Sequence, residues 1–212
     1  MTIHKWDGKE VFQRAVFKYE GKAIEMRVDQ VGLPPSKENF GQGSTATREY
    51  IKHPGAATII ALNDDGKIPM VFQFRYPVGH MTYEFPAGKL DKKEEPQETA
   101  IRELKEETGF VVKDHCQFLG SFYPTPAFSD EKIYMYTSVD IKRGKQKLDK
   151  GEILTYAMYE PAEIDEMINQ SIILDAKTII AFREWQNRYG EWYIEKFGRF
   201  VFDSATDNKR YE

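Results

Sequence analysis

Cysteine is almost absent: Cys116 is the only one in 212 residues. One thiol cannot build an internal disulfide framework, and its scarcity fits a reducing compartment, so a cytoplasmic protein is expected. Long apolar runs are also missing. None approaches the ~20 residues of a membrane span, and the polar, mixed-charge stretch from Met1 to Glu10 gives no sign of a signal peptide. There is no basic excess either. With 30 Lys+Arg against 34 Asp+Glu and a formal charge of -4, the chain lacks the electrostatic footprint of a general nucleic-acid binder. Repeats and low-complexity tracts are lacking. What remains is a chain with 41% hydrophobic residues, too apolar for disorder. At this length roughly 70% of the unfolded surface can be buried without disulfides or a structural metal.

Periodicity along the chain predicts an α+β protein, a mixed β-sheet between helices, because strands and helices interleave without regular βαβ alternation. Residues 11–31 read as a hairpin turning at Glu20-Gly21-Lys22, with Ile24, Met26 and Val28 alternating against charged neighbours. A Pro- and Gly-rich stretch, Leu33-Pro34-Pro35-Ser36 to Gly41-Gln42-Gly43-Ser44, marks a linker. The expected organisation is an N-terminal antiparallel β extension over 1–44, a main domain over 45–190, and an aromatic C-terminal extension over 191–212. Short strands at 58–62 and 70–74 flank Asn63-Asp64-Asp65-Gly66, a hairpin turn signal. Further strands are expected at 82–85, 118–123, 133–139 and 153–159. Helices are expected at 96–107, opened by Pro96 and closed by Gly109, at 161–170, and at 176–188 behind the cap Asp175. The tail after Gly190 is read as a final element closing the core or as a self-association surface.

Chemistry concentrates in one segment. Glu103, Glu106 and Glu107 lie at i, i+3 and i+4, and so project from one side of the helix. Carboxylates this close repel one another, and one or more would retain a proton unless a cation relieved them. Hard oxygen ligands suit Mg²⁺, with Mn²⁺ as a substitute, rather than zinc. No Cys/His set competes, because Cys116 is alone and His4, His53, His80 and His115 are scattered. A solvated acidic helix face, balanced by Arg102 and Lys105, is the plain alternative for these three residues taken alone.

Residues 88–110 resemble the Nudix box, Gly-x5-Glu-x7-Arg-Glu-U-x-Glu-Glu-x-Gly-U with U apolar, at every specified position. At ordinary residue usage a chance match in a chain of this length is on the order of 10⁻⁷. The flanks Gln73-Phe74-Arg75-Tyr76-Pro77 and Glu84-Phe85-Pro86-Ala87-Gly88 are similar to stretches of the family's ADP-ribose and nucleoside diphosphate sugar pyrophosphatases. Most of residues 46–188 can be placed on that pattern, and the tail cannot. The resemblance implies the Nudix fold, a diphosphate-linked nucleoside substrate, water as nucleophile and catalysis by Mg²⁺. Divalent ions can clamp the attacking and leaving oxygens of such a displacement.

On this resemblance Glu103 and Glu107 are the main metal ligands, Glu106 a third or water-mediated one, and the carbonyl of Ala87 a backbone ligand. Glu94 belongs further out, and Arg102 orients the carboxylates. Arg75 would hold the substrate phosphates. Glu84 would contact nucleoside hydroxyls or pair with a lysine, and Arg48 resembles the Arg-Glu that precedes the first strand in the sugar hydrolases, where a partner subunit contributes substrate contacts. The stretch Pro124-Thr125-Pro126-Ala127-Phe128-Ser129-Asp130-Glu131 resembles a substrate loop of the ADP-ribose pyrophosphatases, which makes Pro126, Phe128 and Glu131 binding candidates. Ala127 stands where that loop usually has glycine. Glu152, in the acidic loop before a late strand, is the first candidate for the catalytic base, with Glu103 and Glu131 behind it.

The implied reaction is hydrolysis of a nucleotide sugar, ADP-ribose first, giving AMP and ribose 5-phosphate. GDP-mannose or another nucleotide sugar is the alternative within the same chemistry. A Nudix fold retired to ligand sensing is the alternative of another class. No nucleic-acid or membrane partner is expected. A homodimer is, because a small N-terminal hairpin would be marginal alone.

Overall fold

A computed structural model describes residues 9–22, 24–34 and 44–198. The end of the expected C-terminal extension, residues 199–212, and most of the expected linker, residues 35–43, lie outside the described residues. Two compact units are present. One holds the described residues up to Pro54 together with Thr125–Lys132; the other holds Gly55–Pro124 and the described residues from Ile133 on.

The first unit is an antiparallel meander of β1 (Val11–Glu20), β2 (Glu25–Gly32) and β3 (Thr45–Lys52), in that order. The predicted hairpin is there, closed by the Gly21 N–H donating to the Ile24 carbonyl at 2.9 Å. Two irregularities in the β1 register, around Gln13 and Val16, mark bulges. The boundary expected at residue 44 is displaced. β3 pairs with β2 along its whole length, from Glu25 opposite Lys52 to Gly32 opposite Thr45, so the N-terminal unit runs to Pro54. The segment Thr125–Lys132 joins this unit through β3. The Ile51 N–H donates to the Phe128 carbonyl at 2.8 Å, and the Asp130 N–H donates to the Ile51 carbonyl at 3.2 Å. The Asp130 carboxylate accepts from the His53 N–H at 2.7 Å and from Lys52 Nζ at 3.0 Å.

The second unit is built on β4 (Ala56–Ala61), a strand buried on both faces because Ala-Ala-Thr-Ile-Ile-Ala offers neither side a charge. It runs parallel to β10 (Ile133–Ser138), and β7 (Ala87–Lys89) and β9 (Gln117–Phe122) flank the pair antiparallel, giving the mixed sheet β7-β4-β10-β9. A second sheet is β12 (Leu154–Tyr159), β5 (Ile68–Arg75) and β6 (His80–Glu84), and a ribbon joins β8 (Phe110–Val112) to β11 (Ile141–Arg143).

Alternation along β4 then sorts the core. Ala57, Ile59 and Ala61 pack with Ala100 and Leu104 of helix α1 (Pro96–Thr108). Ile60 faces the other way, into a cluster with Ile164 of α2 (Pro161–Asn169) and Ala181, Phe182 and Trp185 of α3 (Ala176–Phe197). The mixed sheet is therefore sandwiched between helices, as expected.

Two local expectations fail. Asn63-Asp64-Asp65-Gly66 does turn, with Gly66 at φ 76°, but β4 and β5 belong to different sheets and form no hairpin. The presence of a turn is legible; the partner of each strand is not, because β4 finds β10 far along the chain. The last helix does not end at Arg188 but runs through Gly190 to Phe197. Glycine costs a helix interior only about 1 kcal/mol, and Tyr193, Trp192 and Phe197 beyond it pack on the core cluster around Trp185. A side chain on Gly66 would meet Phe197 and Tyr193 at 3.0 Å, so the end of α3 closes directly over that turn.

Trp185 is fully buried and in contact with Phe182, Tyr189 and Tyr193. Trp185→Ala is expected to lower stability by about 3–5 kcal/mol, read from urea unfolding. A loss under 1 kcal/mol would show that α3 does not close the core.

Candidate active site

Helix α1 carries the site because its start and stop are written locally. Pro96 occupies the first turn, Glu95 and Glu98 form a reciprocal capping box, and Gly109 ends the helix at φ 77° with its N–H on the Lys105 carbonyl at 2.9 Å. Its inward face is Thr99, Ala100, Glu103, Leu104, Glu107 and Thr108. Two carboxylates thus share a buried face with core side chains, and only 8% of Glu103 and 3% of Glu107 is exposed.

Strand β7 receives them. The Ala87 N–H donates to Glu107 Oε2 at 3.1 Å. A Cβ on Gly88 would lie 1.8 Å from Glu103 Oε1, so this glycine exists to let the carboxylate lie on bare backbone. Arg102 ties the remaining acids together. Its Nε and Nη2 donate to the two Glu94 oxygens at 2.9 and 3.0 Å, and its Nη1 donates to Glu103 at 2.8 Å and Glu106 at 2.9 Å. Hydrogen bonds from Arg102 hold the Glu94 carboxyl down at about 2 against a burial penalty, with help from the Thr99 hydroxyl.

The inner pair behaves oppositely. Burial pushes the Glu107 carboxyl up to about 8, and the charges of Glu103 and Glu152 add to this against the Ala87 amide and Lys177. Glu103 is also raised, by burial first, with Arg102 opposing and Glu106 and Glu152 reinforcing. Glu152 is therefore within electrostatic reach of both acids. Its own carboxylate closes a turn, accepting the Asp149 N–H at 3.0 Å.

The loop before Glu152 is fastened to the end of α1. The Lys147 N–H donates to the Glu106 carbonyl at 3.0 Å, Gln146 Nε2 to the Glu107 carbonyl at 2.5 Å, and the Gly144 N–H to the Gly109 carbonyl at 2.7 Å. Local sequence gave no signal for Gln146.

Arg75 and Glu84 are brought together, but not as independent groups. Glu84 is buried, and Arg75 grips it side-on, Nε to Oε1 at 2.7 Å and Nη2 to Oε2 at 2.6 Å. Lys177, at the start of α3, pairs with the same carboxylate. Burial alone would raise Glu84, but the hydrogen bonds and charges of Arg75 and Lys177 hold it at about 2. Glu84 thus pairs with a lysine, Lys177. Lys177 escaped notice in the sequence because it lies 93 residues from Glu84.

The other candidates lie in the N-terminal unit. Arg48 pairs with Glu10. Pro126, Phe128 and Glu131 sit on the segment fastened to β3, with Phe128 exposed and Glu131 near His53 Nδ1 at 3.6 Å.

The donor set suits a hard divalent cation: carboxylate oxygens only, two of them buried and under-neutralised. Among the described residues no three acidic, histidine or cysteine side chains already converge as a closed cage. A cation there would complete its shell with backbone, water or substrate oxygens.

A family model described as the NUDIX domain matches residues 52–182. The chain is 36% identical over 170 residues to a Bacillus subtilis protein named ADP-ribose pyrophosphatase, covering 79% of this chain and 88% of that one. It is 37% identical over 170 residues to a Bacillus methanolicus protein named methanol dehydrogenase activator, with the same two coverages of 79% and 88%. A crystal structure of an ADP compounds hydrolase superposes with a TM-score of 0.72 at 20% identity over 89% of this chain and 98% of that one, a likeness of fold.

The two shifted acids predict opposite pH effects on the metal-free protein. Folded Glu107 keeps a proton up to about 8 whereas the unfolded carboxyl releases it near 4.5, so stability falls as pH rises through that window. Glu84, lowered to about 2, contributes stability that is lost as pH falls from 4.5. Melting temperatures in EDTA should decline from pH 5 to pH 8 for the wild type and stay flatter for Glu107→Gln. Parallel curves would overturn the assignment.

Proposed function

The chain belongs to the Nudix family of hydrolases, and we propose that it hydrolyses the diphosphate bridge of ADP-ribose to AMP and ribose 5-phosphate. The observation that carries this reading is the buried, under-neutralised pair Glu103 and Glu107 lying against β7. The substrate is suggested by the name of the Bacillus subtilis relative. Mg²⁺, or Mn²⁺ in its place, would be held by Glu103 and Glu107 with Glu106 and the Ala87 carbonyl. When bound it supplies neutralisation of the charge that builds on the bridging and attacking oxygens.

The protein's own groups do the rest. Arg102 keeps Glu103 and Glu106 oriented through Nη1. Arg75 contacts a substrate phosphate with the guanidinium edge that Glu84 leaves free. A Glu152 carboxylate oxygen takes the proton of the attacking water as the new O–P bond forms and the bridging P–O bond breaks, leaving the electron pair on the departing phosphate. Pro126, Phe128, Glu131 and Arg48, which belong to the N-terminal unit, stay binding candidates on the family resemblance alone. An intact set of box carboxylates argues against a retired sensor.

A homodimer belongs to the same proposal. β1 is the edge strand of its sheet, and Val11, Phe12, Val16, Phe17 and Tyr19 on it are each more than half exposed. A second copy covering that strand would remove an apolar edge from water. Among the described residues no helix is long and apolar enough to cross a membrane, and the lone Cys116 suits a cytoplasmic setting.

With Mg²⁺, purified protein should release AMP from ADP-ribose faster than it hydrolyses GDP-mannose. Glu107→Gln should lower kcat by roughly two orders of magnitude or more, and Glu152→Gln by about 10²–10⁴-fold. Binding of ADP-ribose without turnover would favour the sensor instead. In sedimentation the protein should run at twice 24.7 kDa, and a lone monomer at micromolar concentration would contradict the dimer.

A further inference from the structure

An ionised carboxylate offers about four lone-pair sites, and all of those on Glu84 are taken by protein donors. Arg75 supplies two through Nε and Nη2, the Thr82 hydroxyl donates to Oε1 at 2.6 Å, and Lys177 Nζ donates to Oε2. A carboxylate saturated in this way has nothing left for a sugar hydroxyl. Its use is to fix what is bound to it. The side-on grip leaves Nη1 of Arg75 without a protein partner among the described residues, on a side chain that is 43% exposed.

Lys177 sets that anchor from the far side. Its side chain is 11% exposed and bridges Glu84 and Asp175, contacting Asp175 Oδ2 at 2.8 Å. Asp175 in turn caps α3, accepting from the Thr178 N–H at 3.0 Å and the Thr178 hydroxyl at 2.6 Å. The hydroxyl of Thr178 accepts from the Phe85 N–H at 3.1 Å, the residue next to Glu84. The end of β6 and the residue after it are thus pinned to the first turn of α3 at two consecutive positions, Glu84 through its charge and Phe85 through its backbone.

We propose that Lys177 is a positioning residue for the substrate diphosphate: it immobilises the Glu84 carboxylate on which the Arg75 guanidinium is presented. The inference rests on the reading of Arg75 as a phosphate-binding group. A lysine placed only to neutralise Glu84 would be redundant with Arg75, whereas one bridging Glu84 to the α3 cap fixes where the guanidinium stands.

The test is a double-mutant cycle with a spectroscopic arm. Lys177→Gln should raise KM for ADP-ribose about tenfold with kcat held within about twofold, and Lys177→Arg should recover most of the loss. In an Arg75→Ala background Lys177→Gln should add less than about twofold to KM. The Nε–H resonance of Arg75 in ¹⁵N NMR should be sharp and slow to exchange in the wild type and broadened in Lys177→Gln. Asp175→Asn loosens the lysine while keeping a capping side chain. It should raise KM in the same direction and replaces Lys177→Gln should that variant fail to fold. Unchanged KM, losses that multiply in the double variant, or a fall in kcat at constant KM would overturn the proposal. A wild type inert toward ADP-ribose would overturn the function proposed above, and the Arg75 resonance would then decide the positioning role by itself.

Discussion

The rest of the molecule is organised around two acids that sit where acids are costly. Glu103 and Glu107 occupy the same helix face as Ala100 and Leu104 and are as deeply covered as many core residues. Burial of a charge in this position is offset only in part, by Arg102 for Glu103 and by one backbone amide and the charge of Lys177 for Glu107. That incomplete compensation leaves the pair with free energy to gain from a positive charge brought beside it. It is tolerable because the remainder of α1 is well determined, with a capping box at one end, a left-handed glycine at the other and an apolar stripe against β4 between them.

A second charged device sits beside the first and has the opposite character. Glu84 is equally buried but over-supplied with donors, so it is held ionised and cannot act as a general acid near neutral pH. The contrast assigns the labour. The carboxylates of α1 stay short of partners, and the carboxylate of β6 has every partner it can take. Helix α3 serves both halves of this arrangement, since its first turn holds Glu84 and its body, around Trp185, closes the core beneath the sheet.

Much of this is legible in the sequence where local rules decide. The box spacing fixes which acids share a helix face, Pro96 and Gly109 bound the helix to within a residue, and Asp175 marks the start of α3 through its capping oxygen. What escapes is long range. Asn63-Asp64-Asp65-Gly66 has the chemistry of a turn, yet β4 pairs with β10 and β7, because partner choice depends on the whole sheet. The last helix reads as ending at residue 188, but aromatic packing downstream outweighs the local penalty of Gly190. Lys177 and Gln146 carry no motif at all, and their roles arise only when the chain brings α3 to β6 and the loop after β11 to the end of α1.

The segment Thr125–Lys132 is stitched to β3 by two backbone hydrogen bonds at Ile51 and by the Asp130 side chain, which grips Lys52 and His53. The matched family segment begins at residue 52, the last position of that strand. A protein shortened to the matched segment would therefore keep the Pro126 loop and discard the strand that gives it shape. Any chimaera that exchanges the amino-terminal meander between relatives must carry this loop along with it, as a single inherited piece drawn from two distant stretches of the gene.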